Sequence, residues 1–447
     1  MSEQRGNFSR VGFILAAAGS AVGLGNLWRF PYTVGNNGGG LFVLIYLLSV
    51  IIIAVPVLLA EITLGRHTGK NPVGAFNYIK TGSQWKLVGY MGVISGFMIL
   101  SYYSVIAGWT VGYFVKAITG GFNGITSAGA TASFTAFTSN WWLMIGLLAV
   151  FIFLTVYVIS RGVSGGIEKY SRILMPVLLG ILFLLLIRSL TLKGASKGVV
   201  FYLKPDIKAL SPSLVIQAMG QAFFSLSLGM GTMITYGSYV SKKENLPSSA
   251  AWIAFFDTFI AIMAGFIIFP AIFSQGMSPD QGSGVMFNTL PVLFAKMPAG
   301  AIFGPLFFLL LAIAALTSTI SILEVPVAYF IDEKKTHRKK TAIFVGLIAF
   351  LIGIPSALSQ GAVGFLTDLP LFHIGFLDLM NHIWGNLSLS LGAFFIAIFV
   401  GHIWKSSNAF NEIKSGCEKF TVYGVWSFAI KYIAPVLILL ILFGIVL

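Results

Sequence analysis

Residues 19–26, GSAVGLGN, and residues 225–231, SLSLGMG, are polar, glycine-rich interruptions near the middle of two long apolar runs. Glycine permits unwound backbone, and inside lipid such backbone survives only where it lines a cavity or touches a ligand. Small residues also let membrane helices approach each other closely, so either stretch taken alone is explained by packing. The occurrence of both in corresponding spans favours two broken helices around a binding site.

The composition makes lipid the solvent of this chain. Of 447 residues, 57% are hydrophobic and only 9% are charged, a balance that is not compatible with a water-soluble fold of this length. Apolar runs of about 20 residues, enough to cross roughly 30 Å of hydrocarbon, recur from end to end. The predicted spans cover residues 11–33, 41–64, 88–116, 141–159, 168–190, 212–240, 249–275, 300–330, 341–360, 377–403 and 425–446.

These spans predict an all-α polytopic membrane protein of about eleven transmembrane helices. The two interrupted spans are five apart in chain order, so span six runs opposite to span one, and the chain divides into two inverted five-helix repeats and one extra helix. Helices 1 and 6 are expected to break at the membrane midplane. The predicted parts are a cytoplasmic N-terminal segment at 1–10, a first repeat at 11–190, an extracellular loop at 191–211, a second repeat at 212–404, and a loop with helix 11 at 405–447.

The net charge of +14 is explained by topology. Lys and Arg lie in short segments between apolar runs and form no groove-sized patch, which argues against nucleic acid as a partner. The basic segments at 66–86, 161–172, 242–243 and 334–340 fall on one side of the predicted membrane, where cytoplasmic loops collect positive charge. The N-terminus is therefore expected inside the cell and the C-terminus outside.

Other function classes receive less support. Spaced metal ligands, a nucleophile motif and a Walker loop are all missing from the sequence, which argues against an enzyme. A channel remains an alternative, because polar broken helices can line pores. A protein that only senses its ligand is a third possibility, and saturable uptake coupled to an ion gradient would separate a carrier from both.

Several motifs occur in an order that resembles the neurotransmitter:sodium symporter family, whose bacterial members carry amino acids. They are GLGNLWRFP at 23–31, GGG at 38–40, YY at 102–103, QAFFSLS at 221–227 and LTS at 316–318. The resemblance covers nearly the whole chain and is nearest to bacterial members that lack the twelfth helix. It implies sodium-driven uptake by alternating access, in a bacterial plasma (inner) membrane, with substrate and two sodium ions near the midplane and no organic cofactor.

The resemblance also implies the sodium ligands, and their residue types suit a hard cation that prefers oxygen. One ion is expected at the Ala21 carbonyl, the side chains of Asn26, Ser225 and Asp257, and the substrate carboxylate. The other is expected at the carbonyls of Gly19, Val22 and Ala314 and the hydroxyls of Thr317 and Ser318. Ser and Thr in membrane helices often only bond back to their own backbone, so the motif context carries this assignment.

Gly23 is the residue that indicates an amino acid as substrate. Monoamine carriers of the family place an aspartate there, whereas glycine leaves room for a substrate carboxylate. An apolar pocket with a pliable methionine favours hydrophobic or aromatic L-amino acids. The expected substrate-binding residues are Ala21, Gly23, Leu24, Gly25, Ile99, Tyr103, Phe224, Ser225, Ser227, Met230, Gly231, Ser318 and Ile322.

Asp257 bears on chloride as well as sodium. An acid inside the membrane is costly and requires a cation or a proton, unless it is a neutral, protonated core residue. The family commonly has Asn at this position, and Ala261 stands where chloride-independent relatives often carry an acid. Tyr46 and Gln221 match other positions of the family's chloride site. We therefore expect Asp257 to provide a fixed negative charge and transport to be independent of chloride.

Gates and two further acids complete the expectations from the resemblance. The expected gate residues are Arg29 and Asp378 on the outer side and Arg5, Tyr239 and Asp332 on the inner side. The family's outer acid position reads Asn381 here, so Asp378, three residues earlier, is the expected substitute, and Phe8 is expected to replace an inner tryptophan. Glu61 and Glu324 are intramembrane acids for which a structural role is expected, with Glu61 bonding the broken backbone of helix six.

Overall fold

The computed structural model describes residues 6–277, 286–418 and 420–446. Within these residues the secondary structure is helical, and no β-strand forms. The first half contains α1 (Arg10–Ala21), α2 (Gly25–Asn36), α3 (Gly40–Thr68), α4 (Pro72–Ile79), α5 (Lys86–Ile118), α6 (Ser127–Ser139), α7 (Trp141–Ser160), α8 (Val163–Leu190) and α9 (Ala195–Leu203). The second half contains α10 (Pro212–Ser225), α11 (Thr232–Gly237), α12 (Leu246–Ser274), α13 (Thr289–Lys296), α14 (Gly300–Lys334), α15 (Arg338–Leu358), α16 (Gly364–Thr367), α17 (Phe376–Ile403), α18 (Ser406–Lys414) and α19 (Tyr423–Ile445).

Length and composition identify the helices that can cross a membrane. In the described part of the chain nine helices meet both conditions, or ten if the bent pair α1 and α2 counts as one span. These helices fall at ten of the predicted spans, and the remaining one, at 212–240, is divided between α10 and α11. A multi-pass membrane protein is therefore confirmed.

The first predicted break lies between α1 and α2, whose axes differ by 49°. The Ser9 hydroxyl caps α1 by accepting from the Gly12 amide at 3.0 Å, and α1 ends at Ala21. The first turn of α2, Gly25–Arg29, is wound as a π-helix, a rare form that often marks functional sites. Pro31 lies in the next turn, where the α-helical winding begins.

The second predicted break lies between α10 and α11. Ser227, Gly229 and Gly231 have φ angles of 53°, 90° and 79°, in the left-handed region that ends a right-handed helix. Glycine reaches this region without strain, and a serine there carries a conformational cost. Both glycine-rich interruptions therefore break their helices as the sequence predicts.

The two longest helices, α5 and α14, pack against each other in the centre of the molecule. A Cβ on Gly96 of α5 would lie 3.5 Å from the Ile322 carbonyl oxygen of α14, in ordinary van der Waals contact, so the two backbones lie close together. Six helices lie outside the predicted spans and connect them: α4, α6, α9, α13, α16 and α18. The helix that ends at the first break, α1, packs against α14.

Candidate functional site

Asn26, Ser225 and Asp257 meet between the two breaks. The Asn26 Nδ2 donates to Asp257 Oδ1 at 2.7 Å and to Ser225 Oγ at 2.9 Å. The Ser225 hydroxyl lies 2.8 and 2.9 Å from the two carboxylate oxygens of Asp257. All three residues are at most 1% exposed. The sequence separates them by up to 231 positions, and the structure joins them into one polar cluster.

The neighbours of this cluster hold its backbone in place. Asn26 Oδ1 accepts from the Gly23 amide at 3.1 Å, and Gln221 Nε2 donates to the Gly25 carbonyl at 2.9 Å. The Tyr46 hydroxyl lies 3.5 Å from Asp257 Oδ2. In the described residues no Lys, Arg or His forms an ion pair with Asp257. A buried carboxylate with such neighbours requires a bound cation or a proton.

A second group of oxygen atoms lies where α14 passes the end of α1. The Ser318 hydroxyl is 3.3 Å from the Ser20 carbonyl and 3.4 Å from the Val22 carbonyl. The Thr317 hydroxyl bonds the Ala314 carbonyl at 3.0 Å. A Cβ on Gly19 would lie 3.3 Å from Thr317 Cβ, so the predicted members of this site are neighbours. Carbonyl and hydroxyl oxygens of this kind are suitable ligands for a hard cation.

Gly23 lies between these two groups. A Cβ added to Gly23 would lie 2.5 Å from Ser318 Oγ and 2.9 Å from the Tyr103 hydroxyl oxygen, so only glycine fits without displacement. The Leu24 amide donates to the Tyr103 hydroxyl at 3.1 Å. Gly25 is equally restricted, because its Cβ would lie 2.9 Å from the Phe224 ring.

A cavity of about 350 Å³ extends from this point to the surface at the exposed Asp378. Four of the predicted substrate residues line it: Leu24, Gly25, Tyr103 and Phe224. Its remaining wall is strongly aromatic and includes Trp28, Tyr32, Tyr102, Trp109, Phe134 and Phe287. This cavity is the candidate route to the site.

Other predicted pocket residues are buried and do not line that cavity. Ile99, Met230 and Ile322 are at most 4% exposed and belong to the core. The Ser227 hydroxyl donates to the Ser20 carbonyl at 3.1 Å, next to Ser318. Ala21 and Gly231 sit at the ends of α1 and α11, where the helices break.

The outer gate differs from the expectation. The Arg29 guanidinium lies 4.5 Å from the centre of the Phe224 ring, and its Nη1 donates to Asn386 at 3.3 Å. Arg29 and Asp378, both within the described residues, line the same cavity but form no ion pair in this conformation. Asn381 Oδ1 instead accepts from the Tyr102 hydroxyl at 3.2 Å. Asn386, a neutral partner eight residues beyond Asp378, gave no signal in the sequence.

On the opposite side the N-terminal segment closes the site. The Phe8 amide donates to the Tyr239 carbonyl at 3.1 Å, and the Phe8 ring, 6% exposed, packs edge-on against Tyr236 and Tyr239. Asp332 Oδ2 accepts from the Asn71 amide at 2.8 Å. Arg5, the predicted partner of Asp332, lies outside the described residues. Phe8 thus packs among aromatic residues of the expected inner gate, and its replacement of the tryptophan stays a prediction.

The two remaining acids contact backbone and cations. Glu61 Oε1 accepts from the Gly229 amide at 2.8 Å, within the second break, as expected. Glu324 bonds the Tyr239 hydroxyl at 2.6 Å and forms an ion pair with Arg338. No local pattern in the sequence indicates Arg338 as this partner or Ser20 as a shared carbonyl acceptor, although Ser20 lies in the stretch that predicts the first break.

Comparison with known proteins identifies the class to which this fold and site belong. The family model described as the sodium:neurotransmitter symporter family matches residues 5–123 and 124–447. The chain therefore belongs to this family of sodium-coupled transporters, which are not enzymes.

Individual relatives are similar over almost their full lengths. The chain is 39% identical to an uncharacterized sodium-dependent transporter, YhdH of Bacillus subtilis, over 98% of this chain and 97% of that protein. It is 36% identical to an uncharacterized sodium-dependent transporter of Haemophilus influenzae, covering 97% and 96% of the two chains. The crystal structure of MhsT in complex with L-phenylalanine is 45% identical and superposes with a TM-score of 0.90 over 98% of this chain and 99% of that chain.

Proposed function

We propose that this protein carries hydrophobic or aromatic L-amino acids into the cell together with sodium ions, by alternating access. The observation that carries the proposal is the buried cluster of Asn26, Ser225 and Asp257 between two helix breaks. Aromatic walls around the cavity and the L-phenylalanine bound to the similar MhsT support the substrate class. A channel or an amino-acid sensor of the same fold remains an alternative that a transport assay excludes.

The proposed coupling of sodium to amino-acid transport depends on adjacent binding sites, in which the substrate carboxylate is itself a sodium ligand. One sodium ion would bind the Ala21 carbonyl, Asn26, Ser225, Asp257 and the substrate carboxylate, and a second would bind near Thr317 and Ser318. A substrate carboxylate next to Gly23 would meet the Tyr103 hydroxyl and the start of α2, where the helix dipole favours negative charge. Since each solute completes the other's site, binding of both would stabilise the ordered breaks and permit the change of access.

Asp257 supports chloride independence. Its carboxylate lies 3.5 Å from the Tyr46 hydroxyl and 2.9 Å from the Ser225 hydroxyl, and the resemblance implies that Tyr46 is at a position of the family's chloride site. A built-in negative charge there would replace a bound anion in balancing sodium.

The proposed architecture is eleven transmembrane helices, in which α10 and α11 form one broken span and two five-helix repeats are inverted. Three contacts support one orientation: Arg10 with Glu244, Arg66 with Glu412, and Ser9 with Glu168 each join two chain segments that the predicted topology assigns to the cytoplasm. The N-terminus would then be cytoplasmic and the C-terminus extracellular.

The test is uptake of labelled L-phenylalanine, L-leucine and L-tryptophan into vesicles containing the purified protein. We expect uptake with an inward sodium gradient, none with potassium, and no change when gluconate replaces chloride. Saturable uptake with a fixed sodium-to-substrate ratio would exclude a channel. Binding without uptake would support a sensor and reject transport.

A further inference from the structure

A surface groove lies between α7 and α15, away from the sodium and substrate cavity. Its volume is about 700 Å³, within the range of about 300–1,000 Å³ that is typical of ligand pockets. Its walls are formed by aliphatic and aromatic side chains of both helices: Ala149, Ile152, Phe153, Val156, Ile343, Leu347 and Phe350. The two helices pack closely because Gly346 faces Val156 and leaves no space for a Cβ.

One end of the groove is cationic. Arg161 and Lys339 both line it and both are exposed, and none of its described lining residues is acidic. The Arg161 guanidinium lies 4.7 Å from the centre of the Tyr157 ring and donates to the Tyr157 hydroxyl at 2.9 Å, which holds it over the groove. The start of α15 adds the positive end of a helix dipole.

Arg338 joins α7 and α15 at this end of the groove, and its charge is already paired within the protein. Its side chain is 9% exposed, forms an ion pair with Glu324 and donates through Nε to the Ile159 carbonyl at 2.9 Å. It therefore ties the start of α15 to the end of α7. The side chains of Arg161 and Lys339 remain exposed at the end of the apolar groove.

The length of the groove along α7 matches the depth of one leaflet of a bilayer. From Ala149 to Arg161 an α-helix rises about 18 Å, and half of the hydrocarbon core is about 15 Å deep. A molecule with an anionic head and an acyl chain is complementary to a groove that is apolar along its length and cationic at one end. We infer that the groove binds one anionic phospholipid, with an acyl chain between α7 and α15 and the phosphate at Arg161 and Lys339.

The test is native mass spectrometry of the full-length protein after exchange into detergent with added phosphatidylglycerol or phosphatidylcholine. We expect one phosphatidylglycerol retained per protomer, at least about tenfold in preference to phosphatidylcholine. The double variant R161Q/K339Q should weaken phosphatidylglycerol binding by roughly twenty-five-fold, about fivefold for each cation, because each contributes one attraction to the phosphate. The variant Lys80→Gln with Lys243→Gln, which removes two exposed cations outside the groove, should bind like the wild type.

A second variant, Ala149→Trp, fills the apolar end and leaves both cations in place. It should also lose the retained lipid, which separates acyl-chain binding from attraction to charge alone. Equal retention of the two lipids, or unchanged retention by R161Q/K339Q, would overturn the inference. A dimer that forms in place of lipid binding and is lost in Ala149→Trp would also overturn it, since the groove would then be an interface between copies.

Discussion

Gly23 is the residue at which the site tolerates least change. Replacing it with alanine would force Ser318 and Tyr103 apart, because the new Cβ would lie 2.5 and 2.9 Å from their oxygens. We expect Gly23→Ala to cost about 1–3 kcal/mol of overpacking strain, or roughly a 5- to 150-fold loss of L-phenylalanine affinity. Gly180→Ala is the matched control, since a Cβ there meets nothing within 4 Å. Binding by scintillation proximity measures both, and equal affinity in the two variants would contradict the role of Gly23.

Asp257 carries the charge of the proposed sodium site. Asp257→Asn retains the size of the side chain but removes its charge, so the sodium concentration for half-maximal uptake should rise at least tenfold, about 1.4 kcal/mol. Asp368→Asn, at an exposed position, should leave it unchanged. If the sodium dependence of Asp257→Asn equals that of the wild type, Asp257 does not bind the ion.

At the scale of helices, Glu61 joins α3 to the break between α10 and α11. Glu61→Ala would leave the buried Gly229 amide without its acceptor, at a cost of about 1–3 kcal/mol. Glu61→Gln keeps an acceptor oxygen and serves as the control. Hydrogen exchange should rise around residues 226–231 in the alanine variant only, and equal exchange in both would show that the acceptor is unimportant.

A second contact between elements joins α3, α18 and the segment after α11. The Arg66 side chain, fully buried, donates to Glu412 Oε1 at 2.9 Å, and Lys242 and His67 reach the same carboxylate at 2.8 and 3.0 Å. Burial alone would raise the pKa of Glu412, but the hydrogen bonds from His67 and Lys242 and the charge of Arg66 lower it to about 2.

The sign of the pH dependence follows from that lowered pKa. The stabilisation by ionised Glu412 is complete above its ordinary pKa of 4.5 and is lost as the pH falls through about 2. Glu412→Gln should lower the free energy of unfolding by about 3 kcal/mol, because Arg66 stays buried without its counter-ion. The loss in Tm should therefore be the same at pH 8 and pH 5. Glu418→Gln, which is exposed, is the control, and an effect of Glu412→Gln that disappears by pH 5 would contradict the assignment.

The same contacts show how far sequence reasoning extends. Both breaks were predictable, because glycine and serine that interrupt two corresponding apolar spans indicate unwound backbone at both. The junction of Arg66 with Glu412 was not, since 346 positions separate the residues and no local spacing links them. The partner of Arg29 was missed for a related reason: a charged residue predicts a charged partner, whereas the structure provides the neutral Asn386 and the Phe224 ring.

At the scale of the whole molecule, the described contacts support one orientation of the helix bundle in the membrane. The start of α1 and the end of α3 meet the segment before α12 and the last turn of α18 through two ion pairs, Arg10 with Glu244 and Arg66 with Glu412. Their basic neighbours fit the cytoplasmic side. Lys335, after α14, should share that side, whereas Lys193, after α8, should lie outside.

Single cysteines would decide this orientation. In a Cys417→Ser background, a membrane-impermeant maleimide added to intact cells should label Lys193→Cys and should reach Lys335→Cys only after permeabilisation. Both lysines are exposed, so accessibility within the fold does not bias the comparison. Labelling in the reverse order would invert the topology and place the aromatic cavity at the cytoplasmic face. The conformation described here would then be the inward-open one of the proposed alternating-access cycle.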